Sequence, residues 1–334
     1  FHVRKRYQFL RLGLAVGLAN AAVILTYHVF RGYSFLESSQ ICIPGLANGL
    51  LITMPVGFLL LPIFEWSFNI VTDISLLELS DLNHPLLKRM IVEAPGTYHH
   101  SLVVSSLAEA ACEAIGANGL LARVGAYFHD IGKIQKARLF TENQTGKNAS
   151  RHEELPPQIS SQIIKQHVRD GLEIGKKYKL KERILQFIAE HQGDGIICFF
   201  YRKAVEMAQP GESVREDDFR YGGPKPQSKE TAVVLLADSV EAASRSVEEP
   251  SPEAIDELVR RIVRDKLSDG QLDECDLTFR DLRRIEEIFI HNLMAILHTR
   301  MSYPSLSENG LEDFDPLGKS SAKFGRPPGS PAKN

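Results

Sequence analysis

Cysteine is scarce in this chain: 334 residues contain four, Cys42, Cys112, Cys198 and Cys275, with no CxxC pair among them. That spacing excludes a zinc knuckle, a thioredoxin-type site and a disulfide framework, and a reducing compartment is the simplest setting for it. Net charge is also low. The 39 basic and 42 acidic side chains sum to −3, which excludes a polycationic binder of DNA or RNA. No segment alternates in the period-two manner of a strand, and no internal repeat is evident. At 43% hydrophobic the chain is not a disordered polymer, and its length allows one large domain or two ordinary ones.

The apolar residues are unevenly distributed. Leu12 to Phe30 is a run of about 19 residues without a charged side chain, enough to cross roughly 30 Å of hydrocarbon as a helix. A second run, Ile41 to Phe64, contains Pro44, Pro55 and Pro62, which predicts a kinked span whose freed carbonyls are satisfied within the membrane protein. The competing readings are a pair of buried core helices or, for the first run, a signal peptide. Arg4, Lys5, Arg6 and Arg11 flank the first run, whereas the connecting loop carries only Arg31 and Glu37, so both outer ends should face the cytoplasm. The chain begins with Phe followed at once by basic residues and a span, which suggests a piece of a longer membrane protein. Residues 1–71 are therefore read as a membrane region.

From about Thr72 the apolar residues fall at three- and four-residue steps, as in Leu102, Val103, Ser106, Leu107, Ala110 and Ala111. Helices are predicted over Leu180–His191, Thr231–Ser244, Pro252–Leu267 and Leu282–His298, the third with Ser251 as N-cap and Pro252 at its first position. Residues 72–304 thus read as an all-α domain. Gln209 to Lys229 is punctuated by Pro210, Gly211, Gly222, Gly223, Pro224 and Pro226, a long loop of the kind that often serves as a lid. Residues 305–334, rich in Gly, Pro, Ser and Lys towards the end, read as a disordered tail.

Chemistry is concentrated in "GTYHHS", "AYFHDIGK", "IKQHVRDG", "AEHQGDG" and "LLADSVEA". His129 and Asp130 are adjacent, so on a regular helix they point about 100° apart and converge on one ion only near a helix end, with which Gly132 is consistent. Asp238 lies in the apolar run "VVLLADSV", where an ionised carboxylate needs a cation, either a metal or a paired arginine. Taken singly, His28, His84, His99, His100, His167 and His191 each read as hydrogen-bonded structural residues. The joint occurrence of His100, the His129–Asp130 pair and Asp238 on helical segments is what points to a metal centre.

These motifs resemble those of the HD-domain metal-dependent phosphohydrolases. More narrowly, "LLELSDLNHPLLKRMIVEAPGTYHHSL", "RVGAYFHDIGKI", "DFRYGGPKPQSKE" and "DGQLDECDLTFRDL" resemble the seven-transmembrane HD family of PgpH-type cyclic di-AMP phosphodiesterases, over almost the whole chain to about Pro304. The resemblance implies an all-α HD helical bundle preceded by two transmembrane helices, the last two of seven, in a multi-pass protein of the cell membrane with its HD domain in the cytoplasm. It implies metal-dependent hydrolysis of cyclic di-AMP to linear pApA. It also implies that His100, His129, Asp130 and Asp238 hold one metal, while Asp130 bridges to a second held by His167 and His191.

Imidazole and carboxylate ligands suit two divalent transition-metal ions, Fe or Mn first, with Co, Ni or Zn compatible. Such ions about 3.5–4 Å apart polarise a phosphoryl group and activate a bridging water. The resemblance thus implies that Asp130 is a catalytic residue as well as a ligand. Lys133, one turn on, is a candidate for a phosphate oxygen in catalysis and substrate binding, against a solvated surface lysine. Gln192 stands where the family usually has a second histidine; it can donate to phosphate but cannot act as a general acid. "HQGDGIICFF" lacks the GYP element of cyclic di-GMP-specific relatives. Phe199, Phe200, Tyr201, Phe219 and Tyr221 either stack on a purine or pack the loop onto the domain. The expected partners are a cyclic dinucleotide and membrane lipid. The alternatives are an HD enzyme for cyclic di-GMP, a nucleoside phosphate or an alarmone, and a receptor that binds nucleotide without turnover.

Overall fold

In the computed structural model, residues 7–68, 70–144, 152, 155–209, 212–247 and 251–298 are described. The tail expected over 305–334 lies outside them, as do Pro210 and Gly211. Contacts group residues 1–294 into one compact unit and 295–334 into a second, of which only Ala295–His298 are described.

Two helices, α1 (Tyr7–Phe30) and α2 (Phe35–Asn48), form an antiparallel hairpin, and α3 (Met54–Phe68) continues α2 through a π-helical turn at Gly49–Thr53. The second apolar helix thus starts earlier than the sequence suggests. Ser34 caps it, its hydroxyl accepting from Glu37 N–H while Glu37 accepts from the Ser34 main chain. Pro55 explains the widened turn, because it cannot donate and its ring presses on the carbonyl four residues back. Gly13 and Gly17 face Gly49 across the hairpin, and Gly45 lies against Ala21 and Ile24. A Cβ on Gly49 would overlap main-chain atoms of both Gly13 and Gly17, so only glycine permits this backbone contact. The outward faces are apolar, with Leu18, Val23, Leu51, Leu59 and Ile63 exposed. Only 11% and 6% of the two span-length windows, in Leu10–Phe30 and Phe35–Glu65, are buried, so these are not core helices.

The chain then passes through α4 (Asp73–Leu79), capped by Thr72, and α5 (Pro85–Glu93), capped by His84, into the bundle. The bundle comprises α6 (Pro95–Ala114), α7 (Gly119–Phe128), α8 (Pro157–Lys177), α9 (Glu182–Glu190), α10 (Cys198–Met207), α11 (Lys229–Ser244), α12 (Pro252–Ser268) and α13 (Phe279–His298). No strand occurs among the described residues; Ile196 and Arg220 form an isolated bridge. The four predicted helices are present, and Ser251 and Pro252 start α12 as expected.

At the centre is α11, packed on α6, α7, α9 and α12. Residues Ala232 to Ala237 and Val240 are buried, so this helix is enclosed on nearly every side, and Asp238 and Glu241 sit in the interior. Phe128 and Phe187 anchor α7 to α9, each fully buried and contributing about 1.5–3 kcal/mol. After α7 a 3-10 run, Ile131–Leu139, packs against α8. Gly132 makes that approach possible, since a Cβ there would overlap the His167 carbonyl oxygen. A short turn, Thr141–Asn143, then returns to the start of α6, where Asn143 Oδ1 accepts from the N–H groups of Gly96 at 2.9 Å and Thr97 at 3.1 Å.

The described part of the Gln209–Lys229 loop is held against the bundle. Phe219 is buried, the Ile197 N–H donates to Phe219 O at 2.9 Å, and the Tyr221 N–H donates to Gly195 O at 3.0 Å. Arg220 pairs with Asp269 at 2.9 Å, tying the loop to the end of α12.

Candidate metal centre

His100 projects from the second turn of α6, His129 and Asp130 from the end of α7, His167 from the middle of α8, His191 from the end of α9, and Asp238 from α11. All six are buried. His129 is the C-cap residue of α7, and Asp130 departs from helical geometry at φ −107°, ψ 15°. That break lets two adjacent side chains face one centre, as expected from their adjacency.

The six residues form two groups with one member in common. Ligand atoms of His100, His129, Asp130 and Asp238 lie within 4.8 Å of one another, as do those of Asp130, His167 and His191. Asp130 divides its oxygens between them. Oδ2 lies 3.2 Å from His129 Nε2 and 3.5 Å from His100 Nε2, while Oδ1 lies 3.4 Å from His167 Nε2 and 3.5 Å from His191 Nε2.

Each imidazole is oriented by its other nitrogen. Nδ1–H of His129 donates to Ala126 O at 2.7 Å, that of His167 to Ile164 O at 2.6 Å, and that of His191 to Ile188 O at 3.0 Å. His100 instead directs Nδ1 at the Glu241 carboxylate, 2.5 Å away. Every Nε2 is left facing the centre, the arrangement by which outer partners aim ligands at a metal.

These donors fit divalent cations. His129 Nε2 is buried without a hydrogen-bond partner, and Nε2 of His167 faces Nε2 of His191 at 3.0 Å, a pair of ring nitrogens suited to holding a cation. Burial pushes His167 down to about 3, with Asp130 opposing, so its ring is neutral and available as a ligand. Burial alone would raise Asp130 and Asp238. Lys133 and His129 hold Asp130 well below the usual carboxylate range, and His100 and His129 do so for Asp238. Four imidazoles and two carboxylates, without thiolate, make a borderline-to-hard donor set.

Lys133 is not the solvated surface lysine of one alternative. Its ammonium lies 2.6 Å from Asp130 Oδ2 and 3.0 Å from Glu142 Oε1, and 5.1 Å from the Phe140 ring centroid. Gln192 Nε2 donates to Asp238 Oδ2 at 2.8 Å. Both residues line a cavity of about 590 Å³ whose wall also includes His100, His167 and Asp238. The aromatic residues divide between the two roles considered for them. Phe199 and Tyr221 line the cavity, Phe199 being 70% exposed, while Phe219 and Tyr201 pack against each other. Phe200 does both. His84 and His99 lie outside the centre, and His84 serves as a helix cap.

Residues 97–243 match the family model described as HD domain, and residues 2–72 match the model of a 7TM receptor with intracellular HD hydrolase. The crystal structure of the L. monocytogenes phosphodiesterase PgpH HD domain in complex with cyclic-di-AMP is 44% identical. It aligns with a TM-score of 0.62 over 65% of this chain and 100% of that one. The chain belongs to the seven-transmembrane HD family. Cyclic-di-AMP phosphodiesterase PgpH of Bacillus subtilis (strain 168) is 45% identical over 306 residues, 91% of this chain and 42% of the relative. The uncharacterized protein slr0104 of Synechocystis sp. is 39% identical, covering 90% of this chain and 38% of the relative. The chain therefore spans about two fifths of the length of the curated relatives it matches. As a member of the seven-transmembrane HD family with two exposed apolar helices, it is a membrane protein.

Three residues of this family member's centre escape sequence reasoning. Glu241 meets His100, Arg245 meets Glu241, and Glu142 meets Lys133. The spacing Asp238, Glu241, Arg245 carried a signal, because steps of three and four put all three on one helix face. Glu142 carried none, since only the turn after the 3-10 run brings it back to Lys133.

Proposed function

We propose that this chain is the HD hydrolase portion of a membrane-anchored, metal-dependent phosphodiesterase that opens cyclic di-AMP to linear pApA. The observation that carries the reading is Asp130, whose two oxygens face two groups of candidate ligands beside a cavity lined by His100, His167 and Asp238 and large enough for a nucleotide. The substrate rests on the similarity to relatives named as cyclic-di-AMP phosphodiesterases. In this reading residues 1–71 anchor the protein, residues 72–304 form the cytoplasmic HD domain, and the Arg and Lys residues before α1 set that orientation.

His100, His129, Asp130 and Asp238 would hold one ion, and Asp130, His167 and His191 the other; we favour Fe or Mn. Bound there, two divalent ions supply Lewis acidity and a water acidified towards neutral pH. The protein's own residues do the rest. Asp130 fixes the spacing of the two groups. Lys133, its charge held against burial by Asp130 and Glu142, offers an ammonium to a non-bridging phosphate oxygen. Phe199 and Tyr221 present ring surfaces on which adenine can stack. Hydrolysis adds water oxygen to phosphorus and breaks the P–O3′ bond, leaving the phosphate on the 5′ side and a proton on the departing 3′ oxygen.

The test is chromatographic resolution of products after incubating the full chain in detergent, with Mn or Fe, with cyclic di-AMP or cyclic di-GMP. Metal-dependent pApA formation with slower loss of cyclic di-GMP supports the reading. Tight binding without product under either metal would make the protein a receptor, and equal turnover of both nucleotides would leave an HD phosphodiesterase without adenine selectivity.

A further inference from the structure

The two ligand groups are unequally supported. Three of the four histidines are oriented by main-chain carbonyls. Only His100 is backed by a carboxylate, that of Glu241, which is itself 2% exposed. Glu241 is paired in turn with Arg245, whose guanidinium nitrogens reach its two oxygens at 2.8–3.0 Å. In the same group Gln192 occupies Asp238 Oδ2, turning Oδ1 towards His100 Nε2 at 2.9 Å. The His167 and His191 group has one shared carboxylate and no carboxylate-backed imidazole.

We infer that the two groups take up metal in sequence, the His100, His129, Asp130 and Asp238 group first, and that Glu241 is the positioning residue that sets this order. The inference rests on the reading that both groups hold divalent ions. A carboxylate on Nδ1–H fixes the tautomer and makes Nε2 more basic, so His100 is the strongest imidazole donor of the four. Two carboxylate ligands attract a dication more than one does. Lys133 opposes this beside Asp130 Oδ2, but its charge is matched by Glu142 at 3.0 Å. Once the first ion is bound, it draws on the shared Asp130 and repels the second. The His167 and His191 group is therefore the exchangeable one, and turnover follows free metal concentration through it.

The test is Mn²⁺ binding to the full chain in detergent, with free Mn²⁺ read by electron paramagnetic resonance. The wild-type chain should bind two ions, the first at least about tenfold more tightly than the second. Glu241→Gln, which keeps the size and removes the charge, should weaken the tight site by about 10- to 100-fold and change the other by less than about threefold. Glu241→Asp, which keeps the charge with shorter reach, should fall between wild type and Glu241→Gln, with helical circular dichroism unchanged in both variants. If Glu241→Gln leaves both constants near wild type, or weakens them equally, the inference is wrong. A wild-type chain that binds fewer than two Mn²⁺ would overturn the two-ion reading itself.

Discussion

The Gln192 amide donates a 2.8 Å hydrogen bond to Asp238 Oδ2 and so presents Asp238 Oδ1 to His100. A residue expected from sequence to meet the substrate phosphate is thus also engaged with a ligand. Gln192→Leu keeps bulk and loses the donor, and should lower the rate about 10- to 100-fold at limiting metal. Gln192→His retains a donor and should lose less. Steady-state rates across a Mn²⁺ titration, with thermal melts as control, check both.

Asp130→Ala should abolish turnover, a loss beyond the about 10- to 100-fold typical of an outer-shell change, because it removes a ligand from both groups at once. The helices should remain, since Lys133 keeps Glu142 as its partner. Circular dichroism and product chromatography on the same preparation separate these effects. A rate near wild type would show that the two groups do not act together.

Gly132→Ala should destabilise the bundle by about 1–3 kcal/mol, because the added methyl overlaps the His167 carbonyl oxygen and main-chain atoms cannot rotate away. Gly222→Ala, at an exposed position with open space around it, is the matched control and should leave the melting temperature unchanged.

His84 caps α5 by accepting from Leu86 N–H through Nδ1, and lies edge-on to Phe128 with ring centroids 5.3 Å apart. Burial lowers its pKa, with Asp81 opposing. Between the folded and unfolded values the unfolded chain therefore binds more protons. The contribution is complete above about pH 6.5 and is lost as pH falls through the lower folded value. Protonation removes the acceptor, at a cost of about 1 kcal/mol for a lost cap. His84→Asn, a neutral cap, should flatten this part of the dependence, read as melting temperature at pH 5.5 and 7.5.

Much of this architecture was legible before the coordinates. The helical period marked α6, α9, α11, α12 and α13, and the adjacency of His129 and Asp130 required a helix end that α7 provides. The six ligands came from a family resemblance, and the geometry brings them together. The loop expected at Gln209–Lys229 lies between α10 and α11; proline and glycine report backbone permissiveness, whereas Phe219 and Arg220 determine how its described part is held. Glu241 shares a helix face with Asp238, but its role depends on the burial of α11 against α6, which the sequence does not show. Glu142 depends on the closure of a turn that has no periodic signature.

Asn143 has a consequence of a different kind. The segment that begins at His129 ends by capping the helix that carries His100, so the same stretch of chain is tied to α6 at the metal centre and again at Gly96 and Thr97. Fraying of that helix end and loosening of Glu142 from Lys133 are then one event. Amide protons in the first turn of α6 and around Lys133 should exchange as a single cooperative unit, so the ligands are lost together when this part of the protein opens.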